Sequence, residues 1–501
     1  MSTTVETDAL DCSVLLECEP LSTESKPTNV TSPILCLPQE IQELILEMAQ
    51  MERYKILSDG TVSMPYLNDT PLVASHVCRQ WRSMVFGNPL WWSSIVIAPP
   101  FHLDRIELHL QRSQECPLDL RVFVHLTHGY LIVSQHEEVD TSHLPSLDQF
   151  EAVCRLLSRH LRRCRRIQLE GVFDRGQQYA FLMGDSVAHL DLPDLEVFIF
   201  DGEFRDSTDL PSAQRALFTA APRLRELRLG GIGLMYYTPP PMGNVTTLHL
   251  ARGMEDGHLS FPELGEMLAN CPRLTDLAIY DDLLRRSSFL EEELRLCSVP
   301  FLEELQIYGN MLMVSEILMF LIAPRLRELI IAPYAVGDLT LLLSYPGNRF
   351  TTQFPNIVSL TLAPAHPEAF GALHTASICF PHVERLVLAN MYAAEFREVF
   401  LNLNDAPTFP NLKEIAFTAV ARRDINIIFA TYHHRNAKGL PLKTIFVDHN
   451  TIKRIPVEEM VQEIVVKDVW DEQRRTALYS HISDLFVGKT DYELVDSDGT
   501  E

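Results

Sequence analysis

The sequence predicts an α/β chain: a short helical segment followed by a repeat solenoid, in which a curved parallel sheet carries helices on its convex side. Two observations predict it. A unit of the form Pro-x-Leu-x-x-Leu-x-Leu recurs along most of the chain, and ahead of its first copy two stretches place apolar residues at helical spacing. With 46% apolar and 9% aromatic residues among 501, a large core is available, and a repeat array absorbs as one body a length that otherwise fills several domains.

Residues 1–33 are rich in Ser, Thr and acids, with Pro20, Pro27 and Pro33 breaking any period, and are read as disordered. Leu37-Pro38-Gln39-Glu40-Ile41 then opens a helix, with Pro38 in the first turn and Glu40 near its positive end. Ile41, Leu44, Ile45 and Met48 continue it at helical spacing. Val73, Val77, Trp81 and Val85 mark a second apolar face running through Pro71 to Val85, which Asn88-Pro89 stops. Leu90-Trp91-Trp92 follows, so three of the four tryptophans lie within twelve residues.

The order Leu-Pro-x-Glu-Ile at the start, Val77-Cys78-Arg79-x-Trp81 in a third helix and Pro89-Leu90-Trp91 at the end resembles the F-box, over residues 34–93. The segment Glu52 to Thr70, with Asp59-Gly60 and Met64-Pro65, is longer than that family's usual link between its first two helices. The resemblance implies binding of the Skp adaptor of cullin-RING ubiquitin ligases, and through it a cullin. Matched position by position, it implies Leu37, Pro38, Ile41, Leu44, Val77, Cys78, Trp81, Leu90 and Trp91 as the adaptor contacts. A small helical cap that fills only its own core is the other reading of these stripes.

Residues 94–160 form a junction with the first irregular repeats. Ser94–Ile97 is a short strand, Phe101 to Arg112 carries Leu103, Ile106 and Leu110 at helical spacing, and Pro117 to Val124 alternates as a strand. A His-rich polar stretch, 125–147, reads as an insertion loop, and Phe150 to Arg163 as an amphipathic helix. Five arginines between Arg159 and Arg166 end that helix and complement its negative dipole end; a patch for phosphorylated partners is the alternative.

Residues 161–455 hold the repeats. Three units are clear: Pro193 to Phe200, Pro222 to Leu229 and Pro272 to Ile279. The unit returns at Pro300, Pro324, Pro355, Pro381 and Pro410, with weaker copies near Cys164, Val245 and Leu442. The first apolar residue of each unit, its anchor, falls at 164, 195, 224, 245, 274, 302, 326, 357, 383, 412 and 442, spacings of 21 to 31. Leucine-rich repeats have a period of about 20–29 residues. Each strand points its leucines into a shared core, the proline ends the preceding helical segment, and neighbours bury what one unit cannot. Unrelated units of a doubly wound sheet would not share that proline.

Side chains alternate along a strand, so the third, fifth and seventh residues from each anchor share the other, concave face. The third positions give an acidic row, Asp276, Glu304 and Glu328, and the seventh positions set Tyr280 beside Tyr308; Arg385 then reverses the sign. These five are the expected substrate-binding residues, suited to a partner protein with Lys or Arg between apolar anchors.

Pro456 begins a helical stripe through Met460, Val461, Ile464 and Val465, resumed at Leu478, Ile482 and Leu485. Residues 456–487 are expected to cap the array, with 488–501 an acidic disordered tail.

Formal charge is −25; residues 1–36 carry six acids against one base and residues 456–501 twelve against four, so the termini hold 13 of the 25 excess charges. That balance disfavours nucleic acid and anionic membrane. The ten cysteines are scattered, with neither Cys-x-x-Cys nor zinc-type spacing, as in a reduced compartment. With no signal-peptide order and no apolar run of the roughly 20 residues a membrane helix requires, a cytoplasmic or nuclear location is expected. Nucleotide-binding, zinc-protease and serine-hydrolase motifs are all missing, so no catalytic residue, cofactor or metal is expected. His433-His434 reads as a solvated loop pair, and Asp281-Asp282 and Glu291-Glu292-Glu293 as solvated faces.

The function expected is that of a non-catalytic substrate-recognition subunit of an SCF-type ubiquitin ligase, the repeats recruiting a protein substrate. The other class is a leucine-rich-repeat scaffold with no link to ubiquitin.

Overall fold

The computed structural model describes residues 33–51, 70–99, 101–124, 146–173, 177–204, 215–251, 259–280, 283–284, 296–308, 313–334, 339, 343, 353–364, 371–389, 408–418 and 425–447. The expected disordered N-terminus up to residue 32, most of the insertion loop, the acidic pairs and triplets at 281–282 and 291–293, the cap and the acidic tail lie outside them. The chain divides into two units, Met1–Glu52 and Arg53–Glu501.

In the first unit a 3-10 turn, Pro33–Cys36, leads into helix α1, Gln39–Met51. Pro38 stands just before the helix, and its carbonyl accepts the N–H groups of Ile41 and Gln42 at 3.1 and 3.2 Å. Buried Gln42 closes the entry by donating from Nε2 to the Leu37 carbonyl at 2.8 Å.

The second unit opens with two helices, α2, Thr70–Val77, and α3, Arg79–Gly87, beneath what the period alone shows as one stripe; the expected third helix starts at Arg79, and Val77 ends the one before it. Cys78 breaks them. Its backbone is extended (φ −157°, ψ 170°) and its Sγ accepts the Trp81 N–H at 3.4 Å, an N-cap. The stripe is split accordingly: Val73 and Val77 are exposed while Val85 is buried. A 3-10 turn, Pro89–Trp92, follows, its start capped by Asn88 Oδ1 accepting from Leu90 N–H at 3.1 Å. It drives Trp92 fully inside, where Nε1 donates to the Val85 carbonyl at 3.0 Å and the indole meets Phe86 and the ring of His109 in helix α4, Leu103–Arg112.

Thirteen strands then form one sheet: β1 Ser94–Ile97, β2 Leu118–Phe123, β3 Cys164–Phe173, β4 Val197–Phe204, β5 Glu226–Gly231, β6 Thr247–Ala251, β7 Asp276–Tyr280, β8 Glu304–Tyr308, β9 Glu328–Tyr334, β10 Ser359–Pro364, β11 Arg385–Ala389, β12 Glu414–Thr418 and β13 Thr444–Val447. Their order in the sheet is their order in the chain, and every pairing is parallel. A doubly wound sheet reverses direction at a switch point; this one does not. The junction is part of the same body, since β1 and β2 are its first two strands.

All eleven anchor positions are buried, and the leucines of successive strands form one continuous core. Helices supply its other side: Phe150 and Val153 from α5 (Leu147–Ser158), Met183 from α6 (Gln177–Val187), Leu264 from α8 (Phe261–Ala269), Ile317 from α9 (Met313–Phe320) and Tyr432 from α11 (Ile425–Ala437). Ile232–Met235 (α7) and Gly371–Cys379 (α10) complete the described helices. Capping boxes fix two starts, Ser146 with Gln149 and Ser260 with Glu263.

A repeated bond pattern sets the stacking. From Glu196 onward, the carbonyl of the second residue of a unit accepts two N–H groups, from the second and third residues of the next. The fork recurs nine times up to Lys413, at 2.7–3.3 Å. Just before each anchor a side chain often reaches back one unit: Asn244, Asn356 and Asn411 donate to the carbonyls of Pro222, Pro324 and Pro381 at 2.7–2.9 Å, and Arg223 pairs with Asp194.

Candidate functional site

The residues that the sequence singled out fall into two groups. Of the first, Ile41 and Leu44 are exposed on α1 of the first unit, with Leu37 and Pro38 exposed ahead of it; in the second unit, taken by itself, Val77 and Leu90 are exposed, at 57% and 61%. Cys78 and Trp81 are half-buried, joined by the cap described above. Trp91 departs from the expectation: at 4% exposure it fills the chain's own interior, because the 3-10 turn that points Leu90 outward turns the next two indoles in.

The second group lies on the sheet face opposite the leucines. Register places Asp276, Glu304 and Glu328 on three adjacent strands as a row, all half-buried. Burial raises the Asp276 carboxyl, against the Thr275 hydroxyl that bonds it at 2.5 Å. Tyr280 and Tyr308 are paired in register and stacked, ring centroids 5.0 Å apart and planes within 8°. They are only 5% and 2% exposed, clustered with Ala251, Ala278, Ile330 and Ala332. The expectation of two open aromatic anchors is therefore corrected: flanking small and branched residues on the same face wall the rings in.

That face holds a network that the sequence reading passed over. Arg228 of β5 donates from Nη2 to Asp201 Oδ2 of β4 at 2.5 Å, and its guanidinium lies 5.6 Å from the centre of the Tyr280 ring. His249 of β6 meets the same ring edge-on at 5.9 Å. Tyr308 donates to Gln306 Oε1 at 3.0 Å, and Gln306 Nε2 to Glu304 at 2.5 Å. On β3, Gln168 Nε2 donates to Glu170 at 2.9 Å, with Glu170 and Asp201 in register. Gly230 completes the fit: a Cβ there would lie 2.1 Å from Asp201 Oδ1, so only glycine admits that carboxylate.

Charge follows from this packing. Burial, aided by Arg228, pushes the His249 imidazole down to about 3, so it is neutral. Burial raises the Glu170 carboxyl against the pull of Arg228. Burial alone would lower the Arg228 pKa, but Asp201 and Glu170 outweigh it and keep the guanidinium charged. The signal for these residues was available. Glu170 and Asp201 are seventh, and Arg228 and His249 fifth, from their anchors, so the phase that found Tyr280 also finds them.

Other candidates are accounted for structurally. Arg163 caps another helix than its own, donating to the carbonyls of Leu110 and Cys116 and to Ser113 Oγ at the end of α4. Arg165 forms a two-bond pair with Asp119. His433 and His434 lie on α11, not in a loop. Among the described residues no group of three His, Cys, Asp or Glu side chains is placed to hold a metal ion, and no helix is long and apolar enough to cross a membrane. No protein-family model matches the chain, and no curated protein is significantly similar to it.

Proposed function

We propose that the chain is the substrate-recognition subunit of a cullin-RING, SCF-type ubiquitin ligase, with residues 34–93 an F-box that binds the Skp adaptor and a leucine-rich-repeat array that recruits a protein substrate. It brings no catalytic group of its own; it brings two partners together. One observation carries the reading. Of the thirteen large apolar side chains exposed among the described residues, eight lie between Leu37 and Leu90, and they include five of the nine positions that the F-box resemblance assigns to the adaptor. A helical cap built to fill its own core would turn such residues inward; apolar residues held outward on each of the two units are what a partner would cover.

The test is capture of the purified Skp adaptor by the full chain. Wild type is expected to bind it; Leu90→Arg, and separately the double change Leu37→Ala with Pro38→Ala, should weaken capture at least about tenfold while circular dichroism is unchanged. A wild-type chain that fails to retain the adaptor would overturn the assignment and leave a repeat scaffold without a link to ubiquitin.

A further inference from the structure

The chain's basic residues are not mixed evenly. It holds eight lysines and 34 arginines, yet from residue 56 to residue 412 every one of the 27 basic residues is arginine. Outside that stretch eight lysines stand with seven arginines. A preference of the whole chain for arginine would thin lysine everywhere; this one begins after Lys55 and ends at Lys413. The arginine-only stretch takes in helices α2 to α10 and strands β1 to β11.

The fold accounts for part of this. Arg82 donates from Nε to the Ser75 carbonyl at 2.6 Å, Arg163 reaches three acceptors at once, and Arg112 and Arg325 lie over the rings of Phe86 and Phe301. A planar guanidinium does these jobs better than a compact ammonium. Arg79, Arg162, Arg225, Arg273 and Arg327 are another matter: all are exposed, and among the described residues their side chains form no hydrogen bond, ion pair or ring contact. Lysine would serve the fold equally well there. What it would add is a nucleophile, since an ammonium can lose its proton and a guanidinium in a protein does not.

We infer that the body of the array is kept free of ubiquitin acceptors, and that modification of this chain falls on its flanking lysines, Lys438 and Lys443 foremost. The inference rests on the ligase reading, because a ligase holds a conjugating enzyme, charged with ubiquitin as a thioester, near its own subunits as well as near the substrate. A deprotonated lysine amine attacks the thioester carbonyl; the C–N bond of an isopeptide forms, the C–S bond breaks, and the enzyme's cysteine leaves as a thiol with the proton the amine gives up. A surface of arginines offers no such amine, so ubiquitin passes to the recruited protein and the recruiter is spared. Among the described residues the lysines are Lys413, Lys438 and Lys443, ahead of β12, past α11 and ahead of β13. Lys413 Nζ is held by Glu384 Oε1 at 2.5 Å. Lys438 and Lys443 are exposed and form no side-chain bond among the described residues, which makes them the better acceptors.

The test is ubiquitin transfer to the full chain itself, reconstituted with the Skp adaptor, cullin, RING subunit, activating and conjugating enzymes and ubiquitin, the modified sites being read by mass spectrometry. Wild type should carry more ubiquitin on Lys438 and Lys443 than on Lys413, and Lys438→Arg with Lys443→Arg should lower the total at least about twofold. Arg162→Lys, Arg225→Lys, Arg273→Lys and Arg327→Lys, made together, put four amines at the starts of β3, β5, β7 and β9. That variant should raise ubiquitin on the chain at least about fivefold, with the gain on the new lysines, while circular dichroism and adaptor capture stay as in wild type. New lysines left bare while Lys438 and Lys443 are modified, or an unchanged total in the Lys438 and Lys443 variant, would overturn the inference and leave the ligase reading standing. A chain that fails to capture the adaptor overturns that reading, and this inference with it.

Discussion

Gly230→Ala is the sharpest perturbation of the sheet-face network, because a single methyl lands on a carboxylate. The added Cβ would stand 2.1 Å from Asp201 Oδ1 and 2.6 Å from its Cγ, where ordinary contact begins at 3.4 Å. Asp201 must therefore withdraw by more than 1 Å, out of its 2.5 Å bond with Arg228. Breaking a buried pair by removing one partner costs about 3–5 kcal/mol. Asp201 can turn rather than vanish, so a loss of about 2–4 kcal/mol is expected around β4–β6. An array of repeats need not unfold as one body, so the assay is amide hydrogen exchange at Leu229 and Leu250 rather than a global melt. The expected acceleration is about 30- to 1000-fold. In an Asp201→Ala background the same methyl enters vacated space and should cost less than about 1 kcal/mol, leaving most of the effect as coupling between the two sites. Equal costs in both backgrounds would show that Gly230 is required for its backbone and not for the carboxylate above it.

His249 gives a pH signature. Its folded pKa of about 3 lies below its unfolded value of about 6.5, so between those values the unfolded chain holds the extra proton. Stability from this residue is full above about pH 6.5 and declines as pH falls toward 3, by up to about 1.4 kcal/mol per unit. Glu170, raised rather than lowered, acts with the opposite sign at acid pH, so the readout is the difference between wild type and His249→Gln from pH 6.5 to 4; parallel urea midpoints would refute it. Changing Tyr280 and Tyr308 to Ala should destabilise β7–β8 by about 3–5 kcal/mol for each ring, seen as protease cleavage within residues 276–308. A double variant that resisted protease like wild type yet lost its partner would restore the rings as anchors.

Periodic signals were legible and local exceptions were not. The proline-anchored unit located eleven strands, because anchor burial and strand phase both follow from a pattern repeated along the chain. The third helix was expected, but its start at Cys78 was not readable, because Val73, Val77, Trp81 and Val85 continue the period across the break and a cysteine N-cap has little sequence signature. Trp91 and Leu90 are neighbours of similar hydrophobicity, and only the 3-10 turn decides which one faces out. The acidic row was readable from phase alone. Burial of the tyrosines was not, since it depends on what the same phase carries in four neighbouring strands. Arg163 shows the limit for charge clusters: its acceptors, Leu110, Ser113 and Cys116, lie about fifty residues upstream, and no spacing rule joins them.

The forked carbonyls have a consequence for how such a chain varies. Each unit takes its alignment from the unit before it through two bonds to one oxygen, so the length of chain between them plays no part. Spacings of 21 and 31 residues coexist, and across both the third positions of neighbouring units stay paired, Glu226 with Thr247 and Glu328 with Ser359. Insertions between strands are therefore neutral to the rows of the sheet face, while a residue added inside a strand would move every later side chain of that strand to the wrong side. Gain or loss of a whole unit is tolerated in a third way. It moves everything beyond it by one step of about 4.8 Å and keeps each remaining row intact, so the reach between the two ends of the sheet is adjustable only in whole steps.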